Sequence, residues 1–320
     1  ARVVATKVKD ESLPLKCCYI GNTFCFDELG GGRQNEFTQA GVEILGIRSP
    51  EADAEVIAMA VKGVKSCGLD KFQIEIGQVD FFKGIMEKTG LSADEVEEVR
   101  EGIDRKDFVA VEQVMNKYRV SDELKALILD LPRLFGNKDI LSGISREYIG
   151  GKASAALDYL QKVLDILEDR GLANYVSIDL GMVQSLNYYT GIVFRGYTYG
   201  VGFPILSGGR YDGLVSKYGK DCPATGFSMG INMIMMALER QNRAGNGNPG
   251  GILVTYEEGA RKFADSYCEK AVEGGLIAEL DIGMGGLDAC LRYARSKGLD
   301  KVVLFRADGT SEEFERGTGL

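Results

Sequence analysis

The sequence predicts an α+β fold in which an antiparallel sheet with flanking helices carries a helical insertion and precedes a small C-terminal α/β domain. Glycine recurs among Val, Ile, Tyr and Phe between residues 179 and 230, as in strands that bend or closely approach other groups. Residues 79–150 show a helical pattern instead. After a polar, glycine-rich segment at 241–250, the pattern changes to β-α-β-α-β, which is typical of a parallel sheet. We therefore predict a core domain over 1–245, its insertion at about 79–150, and a C-terminal domain over 251–320.

Composition excludes several classes of protein. The 320 residues are 45% hydrophobic and 27% charged, as in soluble globular proteins. No apolar run of about 18 residues indicates a membrane span and no signal peptide is visible, so we expect a cytoplasmic protein without a membrane partner. The seven cysteines form no CxxC pair and histidine is absent, which excludes a Cys/His zinc site and favours reduced thiols. We predict no metal and no cofactor. The net charge of −9 argues against tRNA binding, because phosphate contacts require a basic surface.

Local patterns define the elements of the first part of the chain. Predicted strands lie at 1–7, 15–20, 23–26, 36–45 and 72–76. Gly21-Asn22 is a good hairpin turn between the second and third of them. Ser49 as N-cap and Pro50 in the first turn begin a helix that ends near Gly68.

Helices are predicted for much of the remainder. Ser92 and Ser121 have the positions of helix caps within the insertion. Residues 153–169 present an apolar stripe that should pack on the sheet. A helix at 231–240 is rich in methionine, which we interpret as core filler. The polar tail 308–320 is expected to be frayed.

The strand at 36–45 places polar side chains on one face. Period-2 alternation puts Gln39, Gly41 and Glu43 on the same side, with Phe37 at the near end. Buried, unpaired polar groups on a strand are costly. That face therefore meets either water or a polar ligand.

Two motifs in the glycine-punctuated stretch resemble a binding pocket. Tyr188-Tyr189 precedes a turn, and Ser207-Gly208-Gly209-Arg210 is interpreted as a glycine loop before a helix. Such a loop lets polar groups converge on a small ligand. An antiparallel sheet with tight corners is the equally acceptable structural alternative.

Specific motifs carry a family resemblance. LNYYTG, SGGRYDGLV and ATGFSMGINMI resemble the two histidine-specific motifs and motif 3 of histidyl-tRNA synthetases, which are class II aminoacyl-tRNA synthetases. YIGNTFCFDELGGGRQNEFTQAGVEILG resembles their motif 2. The resemblance implies the class II synthetase-like sheet, and a C-terminal domain similar to the anticodon-binding domain. It also implies that motif 1 and a substrate loop precede Ala1 in the family.

Three departures from the family pattern remove charge. Cys25, Gln184 and Met233 stand where the synthetases have arginines that act on ATP phosphates and the reacting carboxylate. Fixed cations stabilise phosphoryl-transfer transition states, and one such arginine is typically worth about 10³–10⁵ in rate. A pocket without its catalysts is similar to the synthetase-like regulatory subunits of ATP phosphoribosyltransferase.

The resemblance implies a ligand, a partner and a set of residues. A histidine-like ligand would be bound by Gln39, Glu43, Tyr188, Tyr189 and Arg33. Gly208, Gly209 and Arg210 would shape the pocket. The implied partner is the short-form ATP phosphoribosyltransferase catalytic subunit at the first step of histidine biosynthesis, with a homodimer of this chain inside a hetero-oligomer. Because Gln184 replaces the arginine that would face it, the ligand carboxylate lacks a cation.

Two alternatives remain open from the sequence. The first is an active histidyl-tRNA synthetase, since Phe37 is present to stack on adenine and Arg33 remains in the motif 2 loop. The second is a synthetase-like amino-acid sensor with another partner. Histidine-dependent pyrophosphate exchange distinguishes the first, and co-purification of a catalytic chain distinguishes the second.

Overall fold

A computed structural model describes residues 1–8, 10–24, 36–183, 189–241 and 250–315. The chain divides into two compact units, Ala1–Arg243 and Ala244–Leu320. Each unit has its own sheet, and each is described by itself.

The first unit is built on an eight-stranded sheet. Its strands are β1 Leu15–Phe24, β2 Glu36–Leu45, β3 Phe72–Gln78, β4 Phe135–Gly136, β5 Val176–Asp179, β6 Ile192–Thr198, β7 Leu206–Arg210 and β8 Ala224–Gly230. They lie in the order β1-β2-β8-β7-β6-β3-β5-β4. Neighbouring strands run antiparallel except β3 and β5, which are parallel. The predicted antiparallel sheet is confirmed.

Several helices of the first unit begin at a capping side chain. They are α1 Arg2–Thr6, α2 Pro50–Ser66, α3 Val79–Thr89, α4 Ala93–Asp104, α5 Phe108–Lys117, α6 Asp122–Asp130, α7 Arg146–Asp169, α8 Asp212–Ser216 and α9 Ile231–Arg240. The Ser49 hydroxyl accepts a hydrogen bond from the Ala52 amide at 3.2 Å, and Ser92 forms a capping box with Glu95. The Ser121 hydroxyl accepts a hydrogen bond from the Leu124 amide and so caps α6.

One face of the sheet packs against α2 and α7. Paired residues from β2 to β3 share this face, namely Val42, Phe227, Gly208, Phe194 and Ile76. These strands share one apolar core with α2 and α7. Gly208 is required by that packing, because a Cβ there would lie 2.5 Å from the Phe194 ring. The opposite face is therefore the one left for a ligand.

The second unit has a four-stranded sheet with two helices. Its elements are β9 Ile252–Tyr256, α10 Arg261–Glu273, β10 Ala278–Leu280, α11 Leu287–Lys297, β11 Lys301–Phe305 and β12 Ser311–Glu315. The order is β10-β9-β11-β12; the first three strands are parallel and β12 is antiparallel to β11. The predicted frayed tail was wrong over Ser311–Glu315, since pairing along β11 holds this segment.

Two further predictions were wrong near the N-terminus. Residues 2–6 form a helix rather than a strand, because Val4 and Ala5 pack on the apolar cluster around Leu45. Gly21-Asn22 is not a turn but lies inside β1, paired with β2. The Asn22 side chain also exchanges hydrogen bonds with side chains of β2, so pairing along ten residues outweighs local turn propensity.

The structure corrects two further interpretations made from the sequence. Residues 207–210 of the predicted glycine loop belong to strand β7, which pairs on both sides, and a helix does follow from Asp212. The methionine side chains of α9 do not all pack in the core. Met233 is half-buried against the main core, whereas the side chain of Met235 is exposed.

Candidate functional site

The free face of the sheet carries two rows of small and polar residues. In the first row Glu43 of β2 pairs with Gly226 of β8, which pairs with Gly209 of β7. Side chains two residues apart on a strand share a face. The second row therefore lies beside the first and contains, from β2 to β6, Gly41, Ser228, Ser207 and Arg195. We call the surface formed by these two rows the polar face.

Glycines in these rows let longer side chains lie flat on the backbone. A Cβ at Gly226 would overlap the carboxylate of Glu43. A Cβ at Gly209 would lie 2.8 Å from the Tyr189 ring. The Tyr19 ring covers Gly41 in the same way. The glycines thus bring one carboxylate and two phenols together over the centre of the sheet.

Glu43 is held by a residue of another element. The hydroxyl of Tyr211, at the start of α8, donates a hydrogen bond to Glu43 Oε2. Burial raises the pKa of the Glu43 carboxyl, and the Tyr211 hydrogen bond partly opposes that shift. A desolvated carboxylate of this kind favours a cationic or hydrogen-bond-donating ligand.

The tyrosines of the polar face lie in the fields of charged groups. Burial raises the pKa of Tyr189; the Arg195 charge opposes that shift and the Glu43 charge adds to it. Burial, followed by the Glu43 charge, raises the pKa of Tyr19. Both phenols therefore stay protonated at neutral pH, and each can donate or accept a hydrogen bond.

The other end of the polar face combines a cation with two acids. Glu75 of β3 pairs with Arg195 in the register. Burial raises the pKa of Glu75, and the charge of Asp179 adds to the rise while Arg195 opposes it. Burial also raises the pKa of Asp179. One end of the polar face thus carries the Glu43 carboxylate above β8, and the other carries the Arg195 guanidinium on β6 with Glu75 and Asp179 near it.

Arg210 lies on the helical side of the sheet in a buried ion cluster. Its guanidinium bonds Asp53 through two nitrogens at 3.0 Å each and Asp212 at 3.0 Å. The Tyr159 hydroxyl donates to Asp53 at 2.7 Å. Arg210 is 2% exposed, and burial opposes its charge, yet the Asp53 carboxylate holds its pKa above the usual value. The cluster joins β7 to α2 and α7.

A cavity of about 540 Å³ adjoins this ion cluster. Its lining includes Arg48, Lys152 and Asp212, of which Arg48 pairs with Asp212 and Lys152 pairs with Glu87. The lining residues do not include those of the polar face. We therefore place the candidate site on the polar face rather than in this cavity.

The structure brings together some of the residues predicted from sequence. Glu43, Tyr189 and Gly209 meet on the polar face, and Gln39 lies on the same face of β2. Gly208 and Arg210 face the helices instead. Met233 contacts the position of Gly230 and packs against the main core. Four predicted residues lie outside the described residues: Cys25, Arg33, Gln184 and Tyr188.

Sequence reasoning missed Tyr19, Tyr211, Gly226, Ser228 and Arg195. The alternation of Gly226 and Ser228 in ATGFSMG was a visible signal of a face that needs small residues. The others could not be assigned, because their place depends on strand register across the sheet.

Two further features of the described residues bear on the site. No group of three or more acidic or cysteine side chains among them could hold a metal ion. Within the same ranges, no helix is long and apolar enough to cross a membrane.

Comparison with known proteins decides the family. Residues 1–234 match the histidyl-tRNA synthetase family. A relative from Acetivibrio thermocellus, named ATP phosphoribosyltransferase regulatory subunit, is 55% identical over 319 residues, or 99% of this chain and 76% of the relative. A relative of the same name from Ruminiclostridium cellulolyticum is 49% identical, covering 96% and 73% of the two chains. The chain belongs to the ATP phosphoribosyltransferase regulatory subunit family.

Solved structures show the fold of this family. One from Bacillus halodurans, described as an ATP phosphoribosyltransferase regulatory subunit/histidyl-tRNA synthetase, has a TM-score of 0.76 at 29% identity, covering 95% of this chain and 77% of that one. A histidyl-tRNA synthetase from a Nostoc species has a TM-score of 0.81 at 20% identity, covering 98% and 78%. The class II synthetase-like fold and the regulatory-subunit family predicted from the motifs are both confirmed.

Proposed function

We propose that this chain is a non-catalytic regulatory subunit of ATP phosphoribosyltransferase, which binds a histidine-like ligand and the short catalytic subunit. The names of relatives up to 55% identical support the regulatory role. In this proposal the chain forms a homodimer within a cytoplasmic hetero-oligomer. We further propose that residues 79–150 are the helical insertion and that 251–320 is an anticodon-binding-like domain.

The observation that carries the ligand proposal is the environment of Glu43. A half-buried carboxylate, fixed by Tyr211 and lying beside the Tyr189 ring, offers an anionic acceptor next to an aromatic surface. An imidazole or ammonium group matches both features, since it donates hydrogen bonds and packs on aromatic rings. Gln39, four residues along the same strand face, extends the polar wall.

We propose that the chain does not form histidyl-adenylate, because it lacks the positive charges that this reaction requires. Cys25, Gln184 and Met233 are uncharged at the positions where synthetases have arginine. Met233 packs against the apolar core, which suits a thioether and not a catalytic cation. Histidine-dependent pyrophosphate exchange should therefore be undetectable with purified protein. A rate within about tenfold of a working synthetase would instead support the ligase alternative.

Reconstitution tests the regulatory proposal directly. The chain is mixed with a short ATP phosphoribosyltransferase catalytic subunit, and complex formation and phosphoribosyl transfer are measured. We expect co-elution and a gain in activity over the catalytic subunit alone. No complex and no gain at micromolar concentrations would overturn the regulatory proposal and favour an amino-acid sensor with another partner.

Feedback inhibition tests whether the polar face is the regulatory site. Binding couplings are reciprocal, so the catalytic subunit should change histidine affinity by the same factor by which histidine changes catalytic-subunit affinity. A Glu43→Gln complex should bind histidine at this chain about ten- to a hundredfold more weakly, and inhibition should need correspondingly more histidine. Unchanged inhibition would place the feedback site elsewhere in the complex.

A further inference from the structure

Arg195 is the cation of the polar face, opposite Glu43. Strand register places it in the second row, directly beside Ser207 of β7. The Glu43 carboxylate lies over Gly226 of β8, so two strand spacings, about 10 Å, and one row along the strands, about 7 Å, separate it from the Arg195 backbone. Between them lie Ser228 and the exposed Ser207 of the second row, and Gly209 of the first row beneath the Tyr189 ring.

No hydrogen bond or ion pair to the Arg195 guanidinium is found within the described part of the chain. Its charge acts on the carboxyls of Glu75 and Asp179, which lie near it and would compete with a ligand carboxylate. Arg195 is half-buried. A partly desolvated guanidinium is a strong, geometrically selective ligand for carboxylate, which it binds through two parallel hydrogen bonds.

We propose that Arg195 binds the α-carboxylate of the amino-acid ligand. The inference rests on the proposed ligand site and adds an orientation: the carboxylate lies over β6, and the cationic or imidazole end lies toward Glu43. It supplies the positive charge that is absent at Gln184. The ligand class is then an α-amino acid with a hydrogen-bond-donating side chain, and decarboxylated analogues bind less well.

Two ligands and two variants separate this role from a structural one. L-Histidine and histamine, which lacks the carboxylate, are titrated calorimetrically into wild type, Arg195→Gln and Arg195→Lys. Wild type should bind histidine at least about tenfold more tightly than histamine. Arg195→Gln should lose about ten- to a hundredfold in histidine affinity, as expected for a hydrogen-bonded charge, and change histamine affinity by less than about threefold. Arg195→Lys should fall between wild type and Arg195→Gln.

A matched control removes the effect of net charge. Arg105→Gln makes the same substitution at an exposed site whose ion pair is with Glu101 one turn away. It should bind both ligands as wild type does. Thermal melts of each variant, followed by circular dichroism, establish that the folds are retained.

The outcomes distinguish this inference from the function on which it rests. If wild type binds histidine and Arg195→Gln binds it with the same affinity, the carboxylate role of Arg195 is overturned and the proposed ligand site is not. Equal losses for histidine and histamine also overturn it, because the arginine then acts on the whole pocket. Wild type that binds neither ligand overturns the proposed ligand site itself.

Discussion

The hydroxyl of Tyr211 donates a hydrogen bond to the carboxylate of Glu43, a residue 168 positions earlier in the chain. The bond fixes a β2 side chain from the start of α8 and directs the carboxylate over Gly226 of β8. Three elements thus determine where one negative charge lies. The first prediction tests this contact.

Tyr211→Phe should weaken histidine binding without abolishing it. The substitution keeps the buried ring and removes one hydrogen bond, for which a loss of about 0.5–1.5 kcal/mol, or roughly two- to tenfold in affinity, is expected. Calorimetry measures the change. Tyr218→Phe, at an exposed tyrosine of the same segment, is the control and should have no effect. A loss greater than about a hundredfold would mean that Tyr211 itself contacts the ligand.

Glu43→Gln should separate ligand binding from stability. Histidine affinity should fall by roughly ten- to a hundredfold, because a charged partner of the ligand is removed. The ligand-free protein should become more stable at pH 7, since burial raises the pKa of Glu43 and its ionisation opposes folding.

The stability difference should depend on pH with a definite sign. A raised folded-state pKa means that the folded chain retains its proton to higher pH than the unfolded chain. The gain from Glu43→Gln is therefore present at neutral pH and disappears as pH falls below about 4, where both states become protonated. Urea unfolding at several pH values measures it, with Glu98→Gln on the surface of α4 as control. A gain that persists unchanged at low pH would exclude the ionisation mechanism.

Arg210→Met should strongly destabilise the first unit. Removing the guanidinium leaves Asp53 and Asp212 buried without their common partner, which typically costs about 3–5 kcal/mol. Circular dichroism in urea is the suitable measurement because the chain contains no tryptophan. Arg48→Ala removes an exposed guanidinium from the same buried Asp212, which keeps its bond to Arg210, and should cost clearly less than Arg210→Met. Similar costs for both variants would contradict the buried cluster.

Gly226→Ala should displace the Glu43 carboxylate and also crowd the backbone carbonyl of Val42. The new methyl group overlaps the position of the carboxylate, so we expect a loss of about 1–3 kcal/mol in stability and weaker histidine binding. Gly213→Ala is the matched control, because nothing lies within 4 Å of a Cβ there. The control should be neutral or stabilised by up to about 1 kcal/mol. Wild-type affinity in Gly226→Ala would show that Glu43 does not need its observed position.

Local sequence signals predicted individual elements well. Strand β2 and helix α9 have the predicted bounds, and α2 begins at its predicted Ser49 cap, because periodicity and capping are short-range properties. The turn at Gly21-Asn22 failed for the opposite reason. Its local propensity was outweighed by strand pairing that no short window contains.

The candidate site was only partly accessible to sequence reasoning. Motif resemblance identified Glu43 and Tyr189, whose neighbourhood the structure shows. Arg195 and Tyr211 depend on register across four strands and on the start of α8, which a motif does not encode. For Arg210, a motif match alone cannot indicate which side of the sheet its side chain occupies. Its role in shaping the ligand pocket stays a prediction.

The flat-lying side chains of the polar face have a consequence for amide hydrogen exchange. Gly226 and Gly209 pair with each other in the middle of the sheet, and the Glu43 carboxylate and the Tyr189 ring cover their backbones. These glycines should therefore exchange slowly despite lacking side chains, whereas Ser207, exposed on the same strand as Gly209, should exchange faster. Removing the Tyr189 ring would expose the backbone hydrogen bonds around Gly209 without breaking them. The Gly209 amide would then be the first in the sheet to exchange with deuterium.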